Sequence, residues 1–148
     1  MTFVIVGGGP TGVELAGALG EMTRHTMREE FRAIDTANAQ INLVEALDRI
    51  LSTYPEDLSA KATAALGELG VTVLTNNLVI EIAGDYVLVK DTKTNDQALI
   101  PTYTVLWAAG VKASPLSRVL AQRAGAELDR AGRVMVQPDL TIPGHDDI

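Results

Sequence analysis

Thr2–Gly20 reads TFVIVGGGPTGVELAGALG, and its order of residue types decides the fold. Phe3 to Val6 form a β-branched apolar run suited to a strand covered on both faces. Gly7, Gly9 and Gly12 follow at G-x-G-x-x-G spacing, and an apolar-periodic helix opens directly behind them. Strand, glycine turn and helix in unbroken succession make the pattern that binds dinucleotides. Gly7 permits the tight turn out of the strand. Gly9 lets main chain approach a pyrophosphate with no Cβ in the way, and Gly12 lets the helix lie close to the sheet. The helix N-terminus adds unpaired N–H groups and a partial positive charge for phosphates. Pro10 stiffens the loop but has no N–H to donate. Gly12, Ala16 and Gly20 recur every four residues, a small-residue stripe that allows close packing.

Composition narrows the class. The 148 residues fit one domain, 47% are apolar, and mean hydropathy is slightly positive, which argues for a folded globule. A formal net charge of −7 argues against a nucleic-acid partner, because no basic face is supplied. No apolar run reaches the length of a membrane span, and Met1 is followed at once by a strand and not by a signal peptide. The absence of cysteine excludes disulfides, thiolate metal sites and thiol catalysis within this chain. It is compatible with the cytosol.

Outward from the fingerprint, Arg24–Asn38 places Met27, Phe31 and Ile34 at helical spacing among charges, which predicts an amphipathic helix. His25 reads there as a surface histidine and not a metal ligand. Ile41–Glu45, INLVE, predicts the second strand, closing on an acid. In the fingerprint such an acid accepts from the adenine-side ribose hydroxyls, so Glu45 is the candidate, although the usual spacing is about 20 residues and here is longer. A carboxylate there repels a 2′-phosphate and favours NAD(H), while Arg49 leaves a route by which a guanidinium meets that phosphate.

Thr53–Glu56, TYPE, has the form of a capping box with a proline in the first turn. The following helix is expected to bury Leu58, Ala62, Ala65, Leu66 and Leu69 and to end at a left-handed Gly70. Val71–Leu74 supplies a third strand. The β-α-β-α-β order implies a parallel sheet with right-handed crossovers. Leu78–Ile82, Tyr86–Val89 and Ala98–Ile100 then predict an antiparallel meander that replaces a crossover helix and covers one sheet face.

Thr102–Ala108 returns as a strand ending in Ala109-Gly110, small residues suited to a second wall of a crevice beyond the strand ends. Trp107 reads as a packing residue of that strand, and Lys112 as a solvated lysine. Ser114-Pro115 predicts the cap and first turn of a short helix through Leu120. A strand is expected around Val134–Val136, before a tail punctuated by Pro and Gly that ends without a helix or cap, which hints at truncation.

Four segments in this order, TFVIVGGGPTGVELAGAL, INLVEALDRIL, VLWAAGVKASPL and GRVMVQPDLTIPGHDDI, resemble the NADH-binding half of type II NADH:quinone oxidoreductases, flavoenzymes of the pyridine nucleotide–disulfide oxidoreductase group. The likeness covers nearly the whole chain and is weakest in Arg24–Asn38 and Asp91–Asp96. WAAGV is its most telling part, because disulfide reductases of the group usually carry an ATG-type motif there. The resemblance implies an α/β, Rossmann-like parallel sheet with helices on one face and a three-stranded antiparallel meander on the other, a ββα sandwich.

It also implies roles. Gly7, Gly8, Gly9, Pro10, Thr11 and Gly12 would hold the pyrophosphate of NADH, and Glu45 the adenosine ribose. Ala109 and Gly110 would flank the nicotinamide side, and Glu14 would lie near the nicotinamide; as a bare residue, Glu14 is an acid in a first helical turn, favoured by the dipole. No side chain is implied as catalytic and none as a metal ligand. NADH would pass a hydride to FAD in the full-length parent, which would reduce quinone at the membrane surface. Residues 1–131 would be the NAD(H) domain and 132–148 a tail leading toward a missing flavin-binding domain. The parent would be cytoplasmic and peripheral at the inner face of the cell membrane, and the chain alone inactive. Other electron acceptors, such as ferredoxin or another small redox protein, and a non-catalytic nucleotide-sensing role stay open. The same fingerprint also holds the ADP half of FAD, and the choice of NADH rests on the resemblance.

Overall fold

Strand β1 (Thr2–Val6) lies inside a four-stranded parallel sheet, with β2 (Gln40–Val44) on one side and β7 (Thr104–Trp107) on the other; β3 (Val71–Leu74) flanks β2. Ile5 is opposite Leu43 and Leu106, and Leu43 opposite Val73, so the strands are in register along their length. The computed structural model describes residues 1–24, 39–145 and 147. They divide into two compact units, Met1–Ala109 and Gly110–Ile148.

In the first unit, alternation along each strand sorts the apolar residues to two faces. Ile5, Ile41, Leu43 and Val71 turn to one face, where they pack with Ala16 of α1 (Pro10–Arg24) and Leu66 of α2 (Glu56–Glu68). Val4, Val6 and Val44 turn to the other and meet Val87 and Val89. Those two valines belong to the central strand of a meander, β4 (Asn77–Ile82), β5 (Tyr86–Asp91) and β6 (Gln97–Pro101), paired antiparallel in that order. Helices on one face and the meander on the other is the architecture the sequence predicts. Each fully buried aliphatic side chain contributes about 1.5–3 kcal/mol, and Leu43→Ala, at the centre of the helix-side core, would cost about 2–5 kcal/mol.

The stripe on α1 works as close packing. Gly12, Ala16 and Gly20 are all buried. A Cβ at Gly20 would come within 2.9 Å of the Leu69 Cβ, so the stripe's far end presses on the end of α2 as well as on the sheet. The predicted amphipathic helix with Met27, Phe31 and Ile34, and His25 with it, lies outside the described residues.

Two details of α2 differ from expectation. No side chain caps it: Pro55, at φ −53° and ψ 147°, is the cap residue, and its carbonyl accepts from the Leu58 and Ser59 N–H groups. Thr53 and Glu56 therefore form no capping box, because the proline is placed before the helix and not inside its first turn. The buried stripe is also rotated. Leu58 is 43% exposed and Ala65 is exposed, whereas Ser59 is buried and donates from its Oγ to the Ile50 carbonyl at 2.5 Å. Ser59, with that bond, forms the inward stripe together with Ala62, Leu66 and Leu69. Gly70 ends the element at φ +80°, as predicted.

In the second unit, α3 (Leu116–Ala124) runs one turn beyond the predicted end and stops at Gly125, φ +66°. Pro115 is the cap residue and no side chain caps the helix, although Ser114 Oγ accepts from the Leu116 N–H at 3.2 Å just ahead of it. No strand forms at Val134–Val136. Only a single bridge, Leu128 to Val134, and one bond from the Met135 N–H to the Glu127 carbonyl are made. Asp129 explains why: its carboxylate accepts from the Ala131 and Arg133 N–H groups and from Arg133 Nε, winding 129–133 into a tight turn. Pro138 then lacks the N–H to extend a ladder.

Candidate functional site

The glycine turn leaves the carboxyl end of β1 and is held from three directions. The Gly7 N–H donates to the Val44 carbonyl at 2.8 Å, continuing the sheet by one rung. The Gly8 N–H donates to Glu45 Oε2 at 2.6 Å, and the Gly8 carbonyl accepts from the Leu51 N–H at 2.7 Å. The Gly9 carbonyl accepts from the Val13 N–H at 3.0 Å and so caps α1. Behind it, the N–H groups of Gly9, Thr11 and Gly12 have no acceptor inside the helix, and its dipole adds positive potential where they point.

Four glycines stand in this turn, and packing accounts for three. Gly7 has φ +106°, and a Cβ there would lie 2.8 Å from the Ala109 nitrogen. At Gly8 a Cβ would meet Ile50 Cγ2 at 2.8 Å and the Glu45 side chain at 3.0 Å. At Gly12 it would fall 1.8 Å from the Gly7 carbonyl oxygen. Gly9 differs: its φ is outside the left-handed region, and no described atom lies within 4 Å of where its Cβ would be. Folding does not require glycine there.

Glu45 follows β2 directly. Its backbone is tied on both sides, N–H to the Leu74 carbonyl and carbonyl to the Asn77 N–H, and its carboxylate accepts from Leu47 N–H at 2.8 Å as well as from Gly8. The acid at the strand end thus braces the turn, a role the strand-end position alone did not reveal. A carboxylate has about four lone-pair sites, so two backbone bonds leave further acceptor capacity. Arg49 is committed elsewhere: its guanidinium donates to the carbonyls of Tyr54 and Ser52, each at 2.8 Å, and is not free-standing beside Glu45.

Glu14 and Thr11 are exposed on α1. Glu14 is the fifth helical residue, one past the first turn, and the first turn itself carries no acid; the dipole argument for Glu14 therefore weakens. Ala109 stands against Gly7, while Gly110, φ +68°, opens the second unit. Lys112 is exposed there.

Trp107 is not a packing residue. It is 61% exposed, and its indole N–H donates to the Ala109 carbonyl at 2.6 Å. With Val6, Val44 and Leu78 it lines a cavity of about 140 Å³ in front of Gly7 and Glu45. Strand β7 has β1 as its one partner among the described residues, so no neighbouring strand covers the ring. Two further residues escaped the sequence reading, Ile50 and Leu51. Ile50 is fully buried under Gly8, and Leu51, at φ +50°, supplies the N–H that holds the Gly8 carbonyl. Their signal was an apolar pair inside an otherwise polar loop.

Among the described residues, no group of three His, Asp or Glu side chains could hold a metal ion. No helix among them is long and apolar enough to cross a membrane.

A family model described as pyridine nucleotide-disulphide oxidoreductase matches residues 1–148. The chain is 40% identical over its full length to a type II NADH:quinone oxidoreductase, Ndh, of Mycobacterium tuberculosis, covering 32% of that protein. It is 33% identical to the type II NADH:quinone oxidoreductase of Haemophilus influenzae, again over the whole chain and 32% of the relative. The chain therefore spans about a third of the curated relatives it matches. Its fold is similar to that of Plasmodium falciparum NDH2 solved in complex with NADH, with a TM-score of 0.73, 22% identity, and coverage of 82% of this chain and 25% of that one.

Proposed function

The chain belongs to the pyridine nucleotide-disulphide oxidoreductase family, and from that premise we propose that it is the NADH-holding part of a flavin-dependent NADH:quinone oxidoreductase. Residues 1–131 form the NAD(H)-binding domain in this reading, and 132–148 lead toward a flavin-binding domain of the parent. One observation carries the proposal. Gly9 is the fingerprint glycine whose missing side chain the fold does not use, and it stands at the head of a helix with outward N–H groups. A diphosphate needs that combination: bare main chain for close approach, and donors with positive potential.

The coenzyme's diphosphate lies over Gly7–Gly12 and accepts from the N–H groups of Gly9, Thr11 and Gly12. Glu45 keeps Gly8 in place and offers its remaining lone pairs to the adenosine ribose, which favours NADH over a 2′-phosphorylated coenzyme. Ala109 and Gly110 flank the nicotinamide side, and Glu14 lies toward it. The flavin supplies the hydride acceptor when bound, so this chain orients the donor and does not itself accept electrons. Quinone reduction belongs to the parent, placed in the cytoplasm and peripheral at the inner face of the membrane. The names of the similar proteins, type II NADH:quinone oxidoreductases and an NADH complex, support this reading.

Calorimetric titration of the flavin-free chain with NADH, NADPH and FAD tests it. NADH should bind more tightly than either of the others, with no sustained NADH oxidation. Preference for FAD would overturn the assignment of the fingerprint, and sustained oxidation would overturn the division of labour. NADPH binding equal to that of NADH would remove the ribose role of Glu45.

A further inference from the structure

We infer that Trp107 is a positioning residue for the coenzyme: its indole N–H holds the Ala109 carbonyl and thereby sets the wall that faces the glycine turn. This rests on the NADH-holding reading above.

The sheet's last rung beside this wall is the bond from the Ala108 N–H to the Val6 carbonyl, at 2.9 Å. Beyond it the chain must leave the sheet with no ladder to guide it. Ala109 nevertheless passes Gly7 so closely that a Cβ on Gly7 would lie 2.8–2.9 Å from the Ala109 N, Cα and Cβ atoms. Such an approach needs something to fix the peptide that follows Ala108. The Ala109 side chain packs against the core of Val4, Val6, Val44, Val87 and Val89, and its carbonyl is held by the indole N–H at 2.6 Å. The described residues of this chain cover less than half of the tryptophan, 61% of which is exposed. The ring's one polar atom is spent on the main chain two residues on, and the role inferred for the residue follows from what that bond holds. Ala109 packs directly on Gly7, so the bond holds the residue that backs the glycine turn over which the coenzyme would run.

Trp107 is the chain's only tryptophan, so biosynthetic incorporation of benzothienylalanine replaces the indole N–H by sulfur at this one position while keeping the ring's shape. NADH affinity measured by calorimetry should fall about fivefold, equivalent to about 1 kcal/mol, with the melting temperature lowered by no more than about 4 °C. The amide resonances of Gly7–Gly9 should shift, Trp107→Phe should reproduce the loss of affinity, and 5-fluorotryptophan, which retains the N–H, should restore native binding. Affinity in the benzothienylalanine chain equal to that of the tryptophan chain overturns the inference, as does a fall in melting temperature of about 10 °C or more. Unmoved Gly7–Gly9 resonances overturn it whether or not NADH binds. A native chain that binds no NADH overturns the coenzyme reading itself.

Discussion

Gly9→Ala separates what the fold needs from what a ligand needs. The added methyl meets no described atom within 4 Å, and Gly9 does not use a left-handed conformation, so the chain can accept it without strain. Two small terms then oppose one another. Removing glycine's freedom in the unfolded chain stabilises by about 0.4–1 kcal/mol, while alanine is a poorer cap residue than glycine by roughly 0.5 kcal/mol. The net change should stay within about 1 kcal/mol, or about 4 °C in melting temperature.

Binding is different, because a Cβ projects about 1.5 Å from its Cα. A diphosphate oxygen about 2.8 Å from a backbone nitrogen cannot stay there with a methyl in its path. Losing one charge-assisted bond costs about 1.5–3 kcal/mol, which is about 10- to 100-fold in affinity. Thermal melting and NADH titration on the same preparation read the two effects. A variant that binds NADH as tightly as the native chain would refute the path of the diphosphate over Gly9. A fall in melting temperature of about 10 °C or more would refute the claim that the space is open.

Gly12→Ala should behave in the opposite way: a Cβ 1.8 Å from the Gly7 carbonyl oxygen forces turn and helix apart, at a cost above about 3 kcal/mol, read as a lowered urea midpoint. Glu45→Gln offers one acceptor to two backbone donors, so either the Gly8 or the Leu47 N–H faces an amide NH2. That costs about 1–3 kcal/mol, and hydrogen exchange at the Gly8 amide should quicken about tenfold if Gly8 is the one left unpaired; unchanged exchange at both amides would remove the brace. Acid should act on the 129–133 turn. The Arg133 backbone N–H, then its guanidinium, hold the Asp129 carboxyl below the ordinary range. The stabilisation is therefore complete above the unfolded value near pH 4 and is lost as pH falls through the lower folded value. A carboxyl titration by NMR should find that lowered midpoint, and Asp129→Asn should remove this part of the acid sensitivity.

Local pattern was enough for the elements that depend on it. Short apolar runs placed β1 and β2, and the change to strand-like runs separated by polar turns predicted the meander that covers one sheet face. The fingerprint was legible because its glycines lie within a few residues of the strand and helix they join. What the sequence left undecided depends on partners outside the local repeat of each element. Ser59 is buried in place of Leu58 because the Ile50 carbonyl needs a donor, and no helical periodicity encodes that bond. The predicted strand at Val134–Val136 failed because a strand exists only with a ladder beside it, whatever its propensity. Trp107 was misread for a related reason: apolarity says that a ring gains by burial but not whether a neighbour is there to bury it.

The same division runs through the site. The amino-acid order by itself determined that a bare turn joins strand to helix and that an acid closes the second strand. Only the tertiary structure decided that Glu45 grips Gly8, that Ile50 and Leu51 support it from below, and that Gly9 alone among the turn's glycines faces open space. Backbone propensity acts between near neighbours, whereas the position of a carboxylate 37 residues from the amide it accepts from is set by how the sheet brings two strand ends together.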